Sequence, residues 1–475
     1  MYHIKIQYMK KLLVFALMST LLAVSFSCKK DEPEPGPTEN EIIIDWIWDV
    51  MTDVYYWAAD VDPGLYPTEV TDPEAFLESL LSDADRFSWI VDDYQELVNS
   101  FNNITLSNGI SPYFYVWPRN TNTVVVAVEY VAHGSPADSA GIVRGEIITD
   151  INGTALNTNN YASLFYSELV TLTFADYNDG NLTPNGKEVT LAAQVIEENP
   201  INHHEIIEYE GVDVGYIAYT GFSGGEQEKW VDSLNLIFAD FKSKGITELI
   251  MDIRYNPGGF AYVANHIASN MVPTDIIAGN NIFVRYEWNE AYQQYFVSEE
   301  GESSDYLVTL FEETPGYNLN LSDAYFLTGW HSASASEMII IGLQPYMNIT
   351  QIGENTYGKF YGSFTIPDTE EPPRHSWALQ PLVFKYTSSN GFSGTVNGLV
   401  PDIYIDENPL TMKPFGDITD PTIAAALEEI TGVSPIAKKS VAKPFDKTRL
   451  PDPVRMTKMR TMMRSGDLEI KHLNQ

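Results

Sequence analysis

The stretch His331-Ser332-Ala333-Ser334-Ala335-Ser336-Glu337 runs straight into the apolar segment Met338 to Leu343. Just before it, Ala324-Tyr325-Phe326-Leu327-Thr328-Gly329 has the composition of a short buried strand closed by a glycine. Strand, small-residue turn and helix in that order place one side chain at a helix N-terminus. There, backbone N–H groups without helical partners and the positive end of the dipole face whatever the side chain meets. Serine favours this position as a plain N-cap. The same geometry suits a nucleophile with an oxyanion site made from backbone N–H groups. What else in the chain converges on Ser334 decides between the two uses.

Downstream, Ile349 to Glu354 reads as the next strand, closed by Thr356-Tyr357-Gly358-Lys359, which puts Lys359 25 residues after Ser334. A strand–helix–strand unit returns the chain to the same sheet edge, so the two side chains can meet. A neutral lysine serves as general base for a serine. With an ordinary pKa of ~10.4 it is neutral only about one time in 2,500 at pH 7. Burial must bring that value toward about 7–8 for the chemistry to run.

Upstream, Val214 to Tyr219 reads as a strand and Glu226 to Lys244 as a helix ended by Gly245. Glu248 to Arg254 is a buried strand, followed by Tyr255-Asn256-Pro257-Gly258-Gly259 and a helix from Phe260 to Met271. Such a turn fits purely structural use. It also presents backbone N–H groups at the C-terminal edge of a sheet, where α/β folds place ligands. Pro401-Asp402-Ile403 and Asp420 to Leu427 read as the closing strand and helix of this region.

Residues 99–197 have strand character. Val124 to Val131 is a β-branched run, followed by Gly134-Ser135-Pro136-Ala137 and Ala140-Gly141-Ile142. Arg144-Gly145-Glu146-Ile147-Ile148 then leads to an Ile151-Asn152-Gly153 turn. The pattern predicts a one-turn helix capped by Ser135, a glycine stop and a strand ending in an Asn-Gly turn. It resembles a PDZ domain, with Glu146 where aspartate is commoner. PDZ domains bind an extended peptide by strand addition and capture its carboxylate on backbone N–H groups. The resemblance places peptide contacts near Gly109, Ile110, Tyr113 and Phe114, although Pro112 has no N–H to offer.

Together, Ser332 to Glu337, Gly353 to Lys359, Asp252 to Gly259 and the preceding PDZ-like segment resemble peptidase family S41, the C-terminal processing proteases. The resemblance covers roughly residues 100–430. It implies Ser334 as nucleophile and Lys359 as base, with an oxyanion hole from the N–H of Ala335 and of Gly258 or Gly259. It implies no cofactor and no metal. The expected fold is α/β and multidomain: a helical domain at 40–98, read from helical spacing of its apolar residues, then a PDZ-like β domain at 99–197 and a protease domain at 200–432, which the resemblance implies. The last is of the ClpP/crotonase-like ββα spiral type. Two positions depart from the family pattern. Pro345 stands where many members have an aspartate, and Ser363 where a glutamine orients the lysine, which leaves Ser363 as a shorter possible support.

Other uses of these residues compete. A Ser–His–Asp site could draw on His331, His266 or His375, though no spacing predicts their convergence. His203-His204-Glu205 lacks the i, i+4 spacing of a helical zinc site. A non-catalytic reading also stands, in which the chain is a peptide-binding scaffold on the same fold.

The ends carry targeting and charge information. In residues 1–28, Lys10 and Lys11 precede an apolar run from Leu12 to Phe26 that ends at Cys28, the only cysteine among 475 residues. This resembles a bacterial lipoprotein signal with Cys28 lipidated, and Met9 offers an alternative start. A charged, proline-rich tether follows at 29–39. The expectation is an outer-membrane lipoprotein, facing either the periplasm or the cell surface. A helix is expected from Glu41 to Asp60 with Asn40 as its cap, and a second from Asp72 to Leu81. The net charge of −37 argues against a nucleic-acid partner; polypeptides as ligands are what the PDZ and S41 resemblances imply. Residues 434–475 carry ten Lys or Arg against four Asp or Glu, which makes this tail +6 and the remainder −43. Its sparse apolar content predicts disorder over 433–475.

Overall fold

A computed structural model describes residues 36–67, 72–178, 180–313, 316–436 and 449–453. Cys28 and the signal segment lie outside the described residues. The first helix, α1 (Glu39–Asp53), starts two residues earlier than Glu41. Thr38 caps it rather than Asn40, because a Thr-x-x-Glu capping box forms: Thr38 N–H donates to Glu41 Oε2 at 2.6 Å, and Glu41 N–H to Thr38 Oγ1 at 3.3 Å. The helix stops at Asp53, and only a 3-10 turn at Ala58–Asp60 continues the expected span. Helix α2 (Pro73–Leu80) follows, capped by Asp72. These helices have no core of their own. Ile47, Met51, Phe76 and Leu77 share one hydrophobic cluster with Phe260, Met338 and Leu379 far along the chain. Strand Trp89–Val91 likewise pairs antiparallel with Ala378–Gln380.

The next unit is a sheet of β1 (Ile110–Val116), β2 (Val124–Val131), β3 (Ile147–Ile151), β4 (Leu169–Asn178) and β5 (Asn181–Ala192), paired in that order. The one-turn helix α3 (Pro136–Ser139) forms as expected, with Ser135 Oγ accepting the N–H of Asp138 at 3.2 Å. Asn152 and Gly153 have φ of 53° and 69°, the turn that Asn-Gly favours. Val126, Val128, Ile148, Leu172 and Phe174 form a separate core here.

A six-stranded sheet organises the remainder. It contains β6 (Ile201–Tyr209), β7 (Val212–Tyr219) and, after α4 (Lys229–Ser243), β8 (Glu248–Asp252). After α5 (Ala261–Met271) and a strand of a second sheet, β9 (Ile282–Trp288), the chain adds β10 (Asp323–Thr328), α6 (Ala335–Leu343) and β11 (Asn348–Gly353). Strands β12 (Tyr361–Ser363) and β13 (Leu382–Ser388) join β9, and β14 (Ile403–Tyr404) and α7 (Pro421–Thr431) close the domain. The order is β6-β7-β8-β10-β11-β14, antiparallel only between β6 and β7. Residues alternate between faces along each strand: Leu249 and Met251 pack toward α4, α5 and α6, whereas Ile250 and Leu327 pack under α7 with Ile423 and Leu427. Because β8, β10 and β11 are parallel, their following loops emerge on one edge.

The two β-rich units are pinned by buried charge. Arg144, beside β3, donates to Glu407 Oε1 at 3.0 Å, Lys413 O at 2.7 Å and Glu129 O at 2.5 Å. Arg254, just after β8, pairs with Asp252 at 2.7 Å, Glu407 at 3.1 Å and Asp420 at 3.0 Å. Burial opposes ionisation of Asp420, but the Arg254 and Arg144 charges outweigh it and hold its pKa below the ordinary value.

The tail departs from its expectation within 449–453. Arg449 bridges antiparallel to Tyr115, and the Leu450 N–H donates to Phe114 O at 3.0 Å, so these residues lie on the edge of β1. Residues 437–448 and 454–475 lie outside the described residues.

Candidate active site

The loops after β8 and β10 are tied to one another by the serine cluster. Ser332 Oγ donates to Ile253 O at 2.7 Å and Ser336 Oγ to Asn256 O at 2.9 Å. Two of the three serine hydroxyls are therefore committed to backbone, and Ser334, between them, sits at the junction. Its backbone is held at φ 58°, ψ −114°, a region costly for a residue with a Cβ, at the mouth of α6. Gly258 makes that turn possible. A Cβ there would lie 2.8 Å from both Ser334 Cβ and Ala333 O, and its φ is 111°.

The oxyanion candidates separate on hydrogen-bond bookkeeping. The Gly258 N–H already donates to Asn256 Oδ1 at 2.9 Å. Gly259 instead bridges to Phe222 in parallel, flanked by Phe222 N–H to Gly258 O at 2.8 Å and Phe260 N–H to Phe222 O at 2.7 Å. In that pattern the N–H of Gly259 itself turns away from Phe222. Ala335 stands at the first turn of α6, where an N–H has no helical acceptor.

Lys359 is fully buried. Burial pulls its pKa down to about 7, against the attraction of the Asp85 and Glu337 charges. Its Nζ lies 5.3 Å from the centre of the Phe87 ring. Asp85 is held in turn by Tyr55 Oη at 2.9 Å and by the N–H groups of Phe87 and Ser88 at 2.8 and 2.9 Å. The N-terminal segment thus builds one wall of the lysine's environment, which no spacing in the sequence indicates.

Two side chains hold serine and lysine together. Glu337 Oε2 accepts the N–H of Ser334 at 2.9 Å and of Lys359 at 2.8 Å, while Oε1 accepts Thr356 Oγ1 at 2.5 Å and the Gly358 N–H at 2.7 Å. Burial raises the Glu337 pKa, opposed by those same four donors. The Tyr386 hydroxyl, from β13, lies 2.9 Å from Ser334 O and 2.8 Å from Lys359 O. The sequence held a sign of Glu337, since Ser334-x-x-Glu337 has capping-box spacing.

Other expected residues fall elsewhere. Ser363 Oγ is buried with no hydrogen-bond partner among the described residues, so it does not tether Lys359. Pro345 lies just past the nine-residue α6, roughly 16 Å along the helix direction from Ser334 at 1.5 Å per residue. Of the rival histidines, His331 pairs with Glu129 at 3.4 Å, His266 bonds to Glu312 and Asn235, and His375 packs on Trp46 at 4.7 Å. His203 lies 3.2 Å from Glu205. Of the expected peptide contacts, the Gly109 and Ile110 N–H groups are taken by Ser107 Oγ and Asn108 Oδ1, both at 2.9 Å, so they are not open for a carboxylate. Tyr113 and Phe114 do line the edge that receives the tail.

Fold and site define a PDZ-containing α/β protein with a buried serine and lysine on one sheet edge. Comparisons with known proteins give the family. The peptidase family S41 model matches residues 213–405, the peptidase S41 N-terminal domain 43–89 and a PDZ domain 128–176. The chain belongs to peptidase family S41. It is 26% identical over 337 residues to the carboxyl-terminal-processing protease of a Picosynechococcus species, covering 68% of this chain and 71% of that one. To the carboxyl-terminal-processing protease of a Synechocystis species it is 26% identical over 320 residues, 66% of each. A crystal structure from Bacteroides fragilis assigned to the S41 proteases superposes with TM-score 0.69 at 27% identity, covering 84% of this chain and 99% of that one.

Proposed function

We propose that the protein is a serine endopeptidase that cleaves extended or unfolded polypeptides, with Ser334 as nucleophile and Lys359 as general base. The observation that carries this reading is the fully buried Lys359, with its pKa brought to about 7, fixed to Ser334 through Glu337 and Tyr386. At that value half the lysines are neutral at pH 7. Lys359 Nζ takes the Ser334 Oγ proton as Oγ attacks the scissile carbonyl, and the N–H groups of Ala335 and Gly259 receive the oxyanion. The lysine then gives the proton to the leaving amine, and a second cycle with water releases the acyl group. No cofactor takes part. Cys28, as a lipid attachment point, places the enzyme on the outer membrane in this reading.

The test is proteolysis of an unfolded model protein by the chain beginning at residue 31, beside Ser334→Ala and Lys359→Ala. Cleavage by the parent, lost in both variants while they stay folded, supports the assignment. Activity surviving in Ser334→Ala ends it. An inert parent that still binds peptides supports the scaffold alternative, which the Ser363 hydroxyl, without a hydrogen-bond partner among the described residues, favours.

A further inference from the structure

The edge strand β1 is filled by the chain's own tail. Arg449 stands opposite Tyr115, and the Leu450 N–H bonds to Phe114 O at 3.0 Å. The Leu450 side chain packs on the same core as Phe114 and Phe165. The Tyr161 hydroxyl donates to Pro451 O at 2.8 Å, and the Tyr166 hydroxyl to Asp452 Oδ1 at 2.5 Å. Asp452 is buried and, with Gly109, Ile110, Tyr166 and Pro257, lines a cavity of ≈ 140 Å³ between β1 and the turn that carries Gly258. At the other end, the Arg449 guanidinium lies 4.5 Å from the Tyr113 ring and 4.8 Å from the Trp330 ring, with Glu354 at 3.7 Å. Trp330 precedes the Ser334 turn by four residues, and Glu354 precedes Lys359 by five.

We propose that residues 449–453 are an intramolecular ligand of the β1 edge, occupying the path by which an extended polypeptide would reach Ser334. Three features favour this occupant. The segment runs antiparallel to β1, as an added strand does. It belongs to a +6 tail on a −43 body, and its own arginine meets a carboxylate there. Its tether makes occupancy a unimolecular equilibrium, so a competing chain must displace it. A further 22 residues follow Pro453, and the loop N–H groups of Gly109 and Ile110 are already bonded. The edge therefore takes an internal segment, with an aliphatic residue at the Leu450 position, rather than a chain end.

Occupancy of the β1 edge does not depend on catalysis, so a binding measurement tests it. A fluorescent peptide copying residues 446–456 is titrated by anisotropy into the full chain carrying Ser334→Ala, with and without Leu450→Asp. Displacing the tail should tighten peptide binding at least tenfold. Equal affinity for both proteins, or affinity no better than that of a scrambled peptide, overturns the proposal. Hydrogen exchange on the chain without the Leu450 substitution covers the case in which that variant misfolds. The Leu450 amide should be protected and lose protection when saturating peptide is added; a fast-exchanging amide without peptide, or one unchanged by it, also overturns the proposal.

Discussion

Glu337 accepts the backbone N–H of Lys359 at 2.8 Å through the same oxygen that accepts the N–H of Ser334. One carboxylate oxygen, fully buried, thus sets the spacing between the loops that carry Ser334 and Lys359. Four donors converge on the group, which suits an acceptor-only carboxylate.

Glu337→Gln keeps the size but replaces one oxygen with a donor facing donors. The expected loss of stability is about 1–3 kcal/mol. Because misplacement of about 1 Å costs on the order of a hundredfold in rate, kcat should fall by roughly that factor with KM little changed. Steady-state kinetics with a thermal melt check this, and a variant with unaltered kcat would remove Glu337 from the positioning of the pair.

The pH profile follows from Lys359. In the proposed mechanism only the neutral amine accepts the serine proton, and burial has brought its pKa to about 7. The value of kcat/KM should therefore rise with pH through an ascending limb centred near 7 and then level off. A limb near 10 would mean that the lysine is exposed during turnover.

These groups differ in how far the sequence revealed them. Ser334, Lys359 and the Asn-Pro-Gly-Gly turn were legible because each sits at a loop directly after a parallel strand, where periodicity and glycines mark the boundary. Tyr386 and Asp85 were not, since they reach the site from β13 and from the segment after α2 through tertiary packing alone. The 40–98 region reads as a domain from its helical spacing, yet its apolar face is completed by residues more than 150 positions later. Local pattern gives the face that is buried, not its partner. The docked tail was hidden for a similar reason: its composition is that of a disordered chain, and only the open edge of β1 gives residues 449–453 a place.

Gly258 is a sharp test of the proposed oxyanion turn. In Gly258→Ala the new Cβ would meet the backbone oxygen of Ala333 and the Cβ of Ser334, both at 2.8 Å, at a φ of 111°. Neither neighbour is the end of a flexible side chain, so the turn or the serine must move. We expect a loss of at least 1 kcal/mol in stability and a drop in kcat of roughly a hundredfold or more. Retained activity would show that the turn does not set the nucleophile's position.

Burying Lys359 should also leave a signature in stability. Its pKa falls from 10.5 in the unfolded chain to about 7 in the folded one. Between those values the unfolded chain holds a proton that the folded chain has shed, so this residue makes stability rise with pH across that window. Below about 7 both states are charged, and the full cost of the buried ammonium is present. Above 10.5 both are neutral and it is gone. Lys359→Met, similar in length and uncharged, removes the cost at every pH. The variant should be inactive yet more stable than the parent, by an amount on the order of a few kcal/mol below pH 7. That advantage should shrink steadily as pH approaches 10.5, while contributions from all other groups cancel in the difference. Urea denaturation of both proteins from pH 6 to 10 measures it. A gap that stays constant with pH would mean that Lys359 keeps an ordinary pKa in the folded chain, and the proposed base would then be charged at neutral pH.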